Sequence, residues 1–185
     1  MRAILRVTLA AILCLTTAQL ARGEDVPTIT VSKGDRINVR LAGITGSEGA
    51  TATSIVQKDL TISGVINLAN ANASYTVSGE ASGGSLQGTV VDHSGGTVLS
   101  KTYNGPARTN AHQFANDIIE TLTGSKGLAG SKIAFIATRS GHKEVYVADY
   151  DGTNVRQLTH DNVISVHPSL SPDGSRIAYT GYQSG

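Results

Sequence analysis

Hydrophobic and polar positions along the chain follow three rhythms. The first is a mainly apolar run from Val7 to about Ala18, with Arg2 and Arg6 before it and Ala21-Arg22-Gly23 after it. A basic start, a short apolar stretch and small residues at a cleavage point predict a secretory signal peptide over residues 1–23. The run is too short for an ordinary spanning helix, which takes about 20 residues. Cys14 suggests a lipid anchor, but bulky Leu13 stands where a lipidation signal wants a small residue.

The second rhythm is helical. Ala52, Ile55, Val56 and Leu60 fall on one side of a stretch from Ala50 to Leu60, although its β-branched residues weaken helix propensity. A stronger stripe of Ala111, Phe114, Ala115, Ile118, Ile119 and Leu122 predicts a helix from about Thr109 to Thr123, preceded by Pro106 and stopped by Gly124.

The third rhythm is strict alternation. It predicts strands over Thr28–Leu41, in two pieces about Lys33-Gly34-Asp35, with a loop from Gly43 to Gly49. A short apolar strand follows at Val65–Leu68. Ser74–Gly79, Leu86–Asp92 and Thr97–Tyr103 then form a meander joined by Ser82-Gly83-Gly84-Ser85 and His93-Ser94-Gly95-Gly96. A helix laid on such a sheet buries both, so residues 24–127 are expected to form an α/β domain with a mixed sheet and helices. Gly124 to Ser131 is a short glycine-rich link too brief to hold two domains far apart.

Beyond the link the alternation becomes periodic. Ile133–Gly141 (IAFIATRSG) returns as Ile177–Gly185 (IAYTGYQSG), a spacing of 44 residues. Between the copies lie strands at Glu144–Asp149 and Val155–Leu158, and a strand at Arg176–Thr180 leads into the second copy. Turns at Tyr150-Asp151-Gly152-Thr153 and Ser171-Pro172-Asp173-Gly174 separate them. Several short strands per unit of about 40–45 residues mark a β-propeller blade. Residues 131–185 therefore read as an incomplete β-propeller of about one blade and the start of a second. A lone blade buries neither face, so Thr28–Gly124 is expected to be the more independent folding unit.

Charge and chemistry narrow the function. The chain has 15 Lys and Arg against 14 Asp and Glu. Removing Arg2, Arg6 and Arg22 with the signal leaves a net charge of −2, with no basic cluster to suit nucleic acid. The signal also carries off the single cysteine, Cys14. His93, His112, His142, His160 and His167 lack metal-ligand spacing. Asp149-x-Asp151-Gly152 lacks the further acidic ligands of a calcium loop, so Asp151, Gly152, Pro172, Asp173 and Gly174 read as turn residues. Gly43-Ile44-Thr45-Gly46 has no phosphate-binding Lys-Ser/Thr after it, and no nucleophile elbow is present. Spacing does not bring Asp59, Asp92 and Asp117 into one cleft. No catalytic, metal or cofactor site is expected.

Arg108–Ala137 (RTNAHQFANDIIETLTGSKGLAGSKIAFIA) resembles the interdomain junction of the TolB family, the periplasmic β-propeller proteins of the Tol–Pal envelope system. VYVADYDGTNVRQLTH and HPSLSPDGSRIAYT resemble that family's first blade. The resemblance implies a small α/β domain on a six-bladed propeller that makes protein contacts rather than catalysing a reaction. It also implies a periplasmic location and roles in outer-membrane integrity and cell division. The implied partners are the peptidoglycan-associated lipoprotein Pal, docking on the propeller, and the inner-membrane protein TolA. TolA is reached through the mature N-terminus, here Glu24, Asp25, Val26, Pro27, Thr28 and Ile29. His112, Gly124 and Gly127 fall at the implied junction. Leu170 replaces the family's usual aromatic residue, and most blades are missing. Two other classes are compatible with a blade repeat: the N-terminal propeller part of a prolyl-oligopeptidase-type peptidase, and a generic ligand-binding propeller.

Overall fold

A strand whose alternation ends at Leu41 runs on to Thr45 and becomes the axis of the first domain. In the computed structural model, which describes residues 36–182, β1 spans Ile37–Thr45. The expected signal peptide, Glu24–Ile29, the expected turn at Lys33-Gly34-Asp35 and the last three residues of the repeat lie outside the described residues. The loop expected from Gly43 is instead a bulge within β1. The register shifts between Leu41 and Gly43, and Gly43 takes φ +100°, a left-handed angle that costs glycine little. The bulge lets the strand continue and places Ile44 in the core.

Helix α1 spans Gly49–Ile62, two turns' worth of β-branched residues notwithstanding. Its inner face, Ala52, Val56 and Leu60, is fully buried. Packing thus overrides the weak propensity. β2 (Ile66–Leu68) and β3 (Tyr75–Ser82) flank β1, both parallel to it. β4 (Ser85–Asp92) and β5 (Thr97–Asn104) extend the sheet antiparallel, giving the order β2-β1-β3-β4-β5. The β3–β4 turn is Gly83-Gly84 with φ of 59° and 77°, the two positive angles that a tight hairpin with native twist demands.

Helix α2 spans Ala107–Thr123. Gly124 closes it with φ +74° and a 2.8 Å bond from its amide to the Glu120 carbonyl. α1 packs beside α2, and their inner faces and the sheet share one core around Val39, Val77, Val90, Leu86 and Phe114. Phe114 sits against Gly88 of β4, and its ring centroid lies 5.8 Å from that of Tyr103. The first domain is therefore a mixed sheet with two helices.

The blade begins with β6 (Lys132–Ala137), β7 (Glu144–Asp149) and β8 (Arg156–Gln157), an antiparallel sheet in that order. Val145, Tyr146, Val147 and Ala148 of its middle strand are buried. β8 is shorter than the alternation over Val155–Leu158 suggests. β9 (Ser165–Leu170) pairs with β10 (Ile177–Gly181) in a second, two-stranded sheet. Alternation along the chain does not predict β9. Pro168 lacks an amide hydrogen and His167 has φ +54°, so the stretch breaks the usual strand pattern. No helix among the described residues is long and apolar enough to cross a membrane.

Candidate functional site at the helix–blade junction

Arg108 lies in the first turn of α2, where the helix dipole disfavours a cation. Its position is explained by the blade turn facing it. Arg108 Nη2 donates to Asp151 Oδ2 at 2.8 Å, to Thr153 Oγ1 at 2.7 Å and to Asp149 Oδ2 at 3.2 Å. The two carboxylates thus supply negative charge at the helix N-terminus. Asp149 also accepts from Asn154 at 2.7 Å and from Lys132 at 3.3 Å. Burial works to raise the Asp151 carboxyl, but the Thr153 hydroxyl and amide and the Arg108 guanidinium outweigh it and hold Asp151 well below its usual value. Bonding to Asp151 in turn raises Arg108. Asp151, first read as a turn residue, is therefore also the anchor of the junction. Gly152 supplies the turn itself, with φ +77° and a 2.8 Å bond from its amide to the Asp149 carbonyl.

One helical turn further on, His112 pairs with a residue of α1. Its Nδ1 lies 2.6 Å from Asp59 Oδ2, and both side chains are buried. Burial raises the Asp59 carboxyl above its usual value, against the opposing pull of the His112 bond. The glycine-rich link then folds back as a strap. The Asn116 side chain donates to the Ala129 carbonyl at 2.9 Å and accepts from the Ala129 amide at 2.8 Å. Gly127 lies so close that an added Cβ would come within 2.8 Å of Asn116 Cα. Gly124 caps α2 before the strap begins.

The other residues singled out by sequence are dispersed. In the Ser171–Gly174 turn, Pro172 takes the second position and Gly174 has φ +67°. Asp173 accepts from Ser171 and Ser175, which lowers it to about 2. Asp92 caps the amides of Ser94 and Gly96 in the β4–β5 turn. Asp117 accepts from Lys101 and Tyr103 at 2.6 and 2.7 Å. These three aspartates, Asp59 included and Asp173 aside, thus occupy separate surroundings.

Glu144 escaped the sequence reading. It starts β7 with 1% exposure and accepts from the Thr159 hydroxyl and the Asn162 amide. Only a charged residue at the head of an apolar strand hinted at it. Among the described residues, no group of three or more His, Cys, Asp or Glu is arranged to hold a metal.

An α/β domain whose last helix is ion-paired to the first strands of an antiparallel blade defines a class: proteins in which a small mixed domain precedes a β-propeller. Comparison with known proteins points to one kind within it. Residues 119–185 match the family described as the TolB beta propeller domain. The chain is 46% identical over 99 residues to the Protein TolB homolog of Chlorobaculum tepidum, covering 52% of this chain and 23% of that protein. It is 44% identical over 86 residues to the Tol-Pal system protein TolB of Geobacter metallireducens, covering 45% of this chain and 20% of that one. The crystal structure of TolB from Acinetobacter baumannii shares the fold, with a TM-score of 0.68 at 20% identity over 81% of this chain and 45% of that chain. In sequence and in fold the chain is similar to TolB. It spans about a fifth to a quarter of the length of the curated relatives it matches.

Proposed function

We propose that the chain is a non-catalytic protein-binding component of a Tol–Pal complex in the periplasm, exported by residues 1–23. The match of residues 119–185 to the TolB propeller family carries this reading. It covers the end of α2, the strap and the blade, and the residues that fasten these parts to the rest of α2, Arg108 and Asn116, lie just before it. In this reading Glu24–Ile29 contacts a TolA-like partner as an extended segment, and blade surfaces contact a Pal-like lipoprotein. The complex supports outer-membrane integrity and cell division.

A short segment can engage its partner alone, whereas a surface built from neighbouring blades needs them all. The chain from Glu24 to Gly185 is therefore expected to bind a TolA-like partner measurably. It should bind a Pal-like partner at least about tenfold more weakly than a full-length relative does, equivalent to about 1.4 kcal/mol. Calorimetric titration against both partners, with and without Glu24–Pro27, tests this. Unchanged TolA-like binding after the deletion removes the N-terminal assignment, and full-strength Pal-like binding removes the multi-blade one.

A further inference from the structure

We propose that a cleft beside the Asp59–His112 pair receives a lysine side chain from an extended segment of a partner protein. The proposal is independent of the Tol–Pal reading. The cleft encloses about 180 Å³ between α1, α2, the strap and the blade, with Asp59, Val65, Ile119, Thr123, Leu128 and Tyr150 among its walls. The side chain of Asp59 is 1% exposed. Its Oδ2 is matched by His112, but its Oδ1 has no hydrogen-bond partner among the described residues. A buried carboxylate oxygen without a donor is costly and is usually matched.

Besides His112, the charges acting on Asp59 include Arg108 and Asp151, and those two are bonded to each other. Lys126 also lines the cleft, but it is exposed and makes no ion pair among the described residues. Burial already holds the Asp59 carboxyl above its usual value, and an incoming ammonium would offset that burial.

The walls select the carrier. Four methylenes of lysine suit the apolar lining, while its compact ammonium needs only one carboxylate oxygen. A planar guanidinium wants two, and His112 holds the other. Val65 and Leu128, 41% and 59% exposed, add apolar surface for residues flanking the lysine. A free amine would gain nothing from that surface, which favours a protein segment.

The test titrates the ¹⁵N-labelled chain with a capped Ala-Ala-Lys-Ala-Ala peptide, its norleucine counterpart and n-butylammonium. The lysine peptide is expected to shift the amides of Ser63, Thr123 and Ala129. The norleucine peptide should bind at least about tenfold more weakly and butylammonium at least about threefold more weakly. Asp59→Asn should weaken the lysine peptide about tenfold. Val65→Phe, which narrows the cleft without touching the carboxylate, should do the same and serves if Asp59→Asn does not fold. Equal binding of the lysine and norleucine peptides overturns the proposal. So does butylammonium matching the peptide, which would make the ligand a free amine, or no shift at millimolar peptide, which would leave the cleft to solvent.

Discussion

Replacing Arg108 with methionine keeps the aliphatic stem and removes only the guanidinium that ties α2 to the blade. Nη2 carries two hydrogens shared among three acceptors, so the 3.2 Å contact to Asp149 is the weakest. Asp149 also keeps Asn154 and Lys132, so the loss falls on Asp151, whose side chain is 3% exposed. Asp151 keeps the Thr153 amide and hydroxyl at 3.0 and 2.6 Å. Removing one partner from a buried charged acceptor costs roughly 1.5–3 kcal/mol. Arg108 itself is 36% exposed, and solvent screening brings the expected cost to the lower half of that range, about 2 kcal/mol.

The consequence is local. Amides of β7 should exchange with deuterium roughly 10–30-fold faster, because 1.4 kcal/mol is a factor of ten in the opening equilibrium. Those of Val77, Val90 and Ile118 in the first domain should stay within about threefold of wild type. Arg108→Lys should recover only part of the loss, because its single ammonium cannot reproduce the guanidinium's reach. Equal acceleration throughout the described residues would falsify the idea that the blade opens separately. Unchanged β7 exchange would show that the ion pair does not hold it.

Two further outcomes follow from the core. At Gly88 an added Cβ would lie 2.5 and 2.6 Å from Phe114 Cζ and Cδ2, so Gly88→Ala should destabilise by about 1–3 kcal/mol in urea, with partial relief from Phe114→Leu. A loss below about 0.5 kcal/mol would mean that the ring moves aside freely. For Asp59, the raised folded value means a contribution to stability that is complete below the usual 3.8 and is lost as pH rises through the folded value. Asp59→Asn, whose amide oxygen still accepts from His112, should therefore gain on the wild type as pH rises through that window. Asp151, held low, has the opposite sign, but it is common to both proteins and cancels. A difference in urea midpoint independent of pH refutes this assignment.

Periodicity made most of the elements legible. The stripe on α2 and the alternation of β3, β4 and β5 each leave one face to bury, and a Gly-Gly pair is free to take the two positive φ angles of a tight hairpin turn. The places where reading failed have separate physical causes. β1 runs through Gly43 because a bulge absorbs the extra residue, and alternation cannot register a bulge. β9 is hidden by Pro168 and His167, which fall in a register shift while Val166 and Ser169 on either side of them pair with β10. Arg108 was visible only as part of a resembling stretch, since its acceptors lie 41 to 45 residues away. The Asp59–His112 pair spans 53 residues and two helices, a separation at which only the packed fold brings such groups together.

The Asn116 side chain pairs with Ala129 as one strand pairs with another, donating and accepting at the same residue. This places the border between the two parts somewhere other than in the glycine-rich stretch. A chimera spliced at Gly124–Ser131 would separate a helix from the strap bonded to its flank. Adding a residue to the strap would shift Ala129 out of register and break both bonds at once. The exposed turn at Thr138–Lys143 has no such partner across the junction among the described residues. A graft of foreign blades is better joined there, with β6 and the strap left attached to α2. For engineering, the unit to keep whole is the helix together with the first strand that follows it.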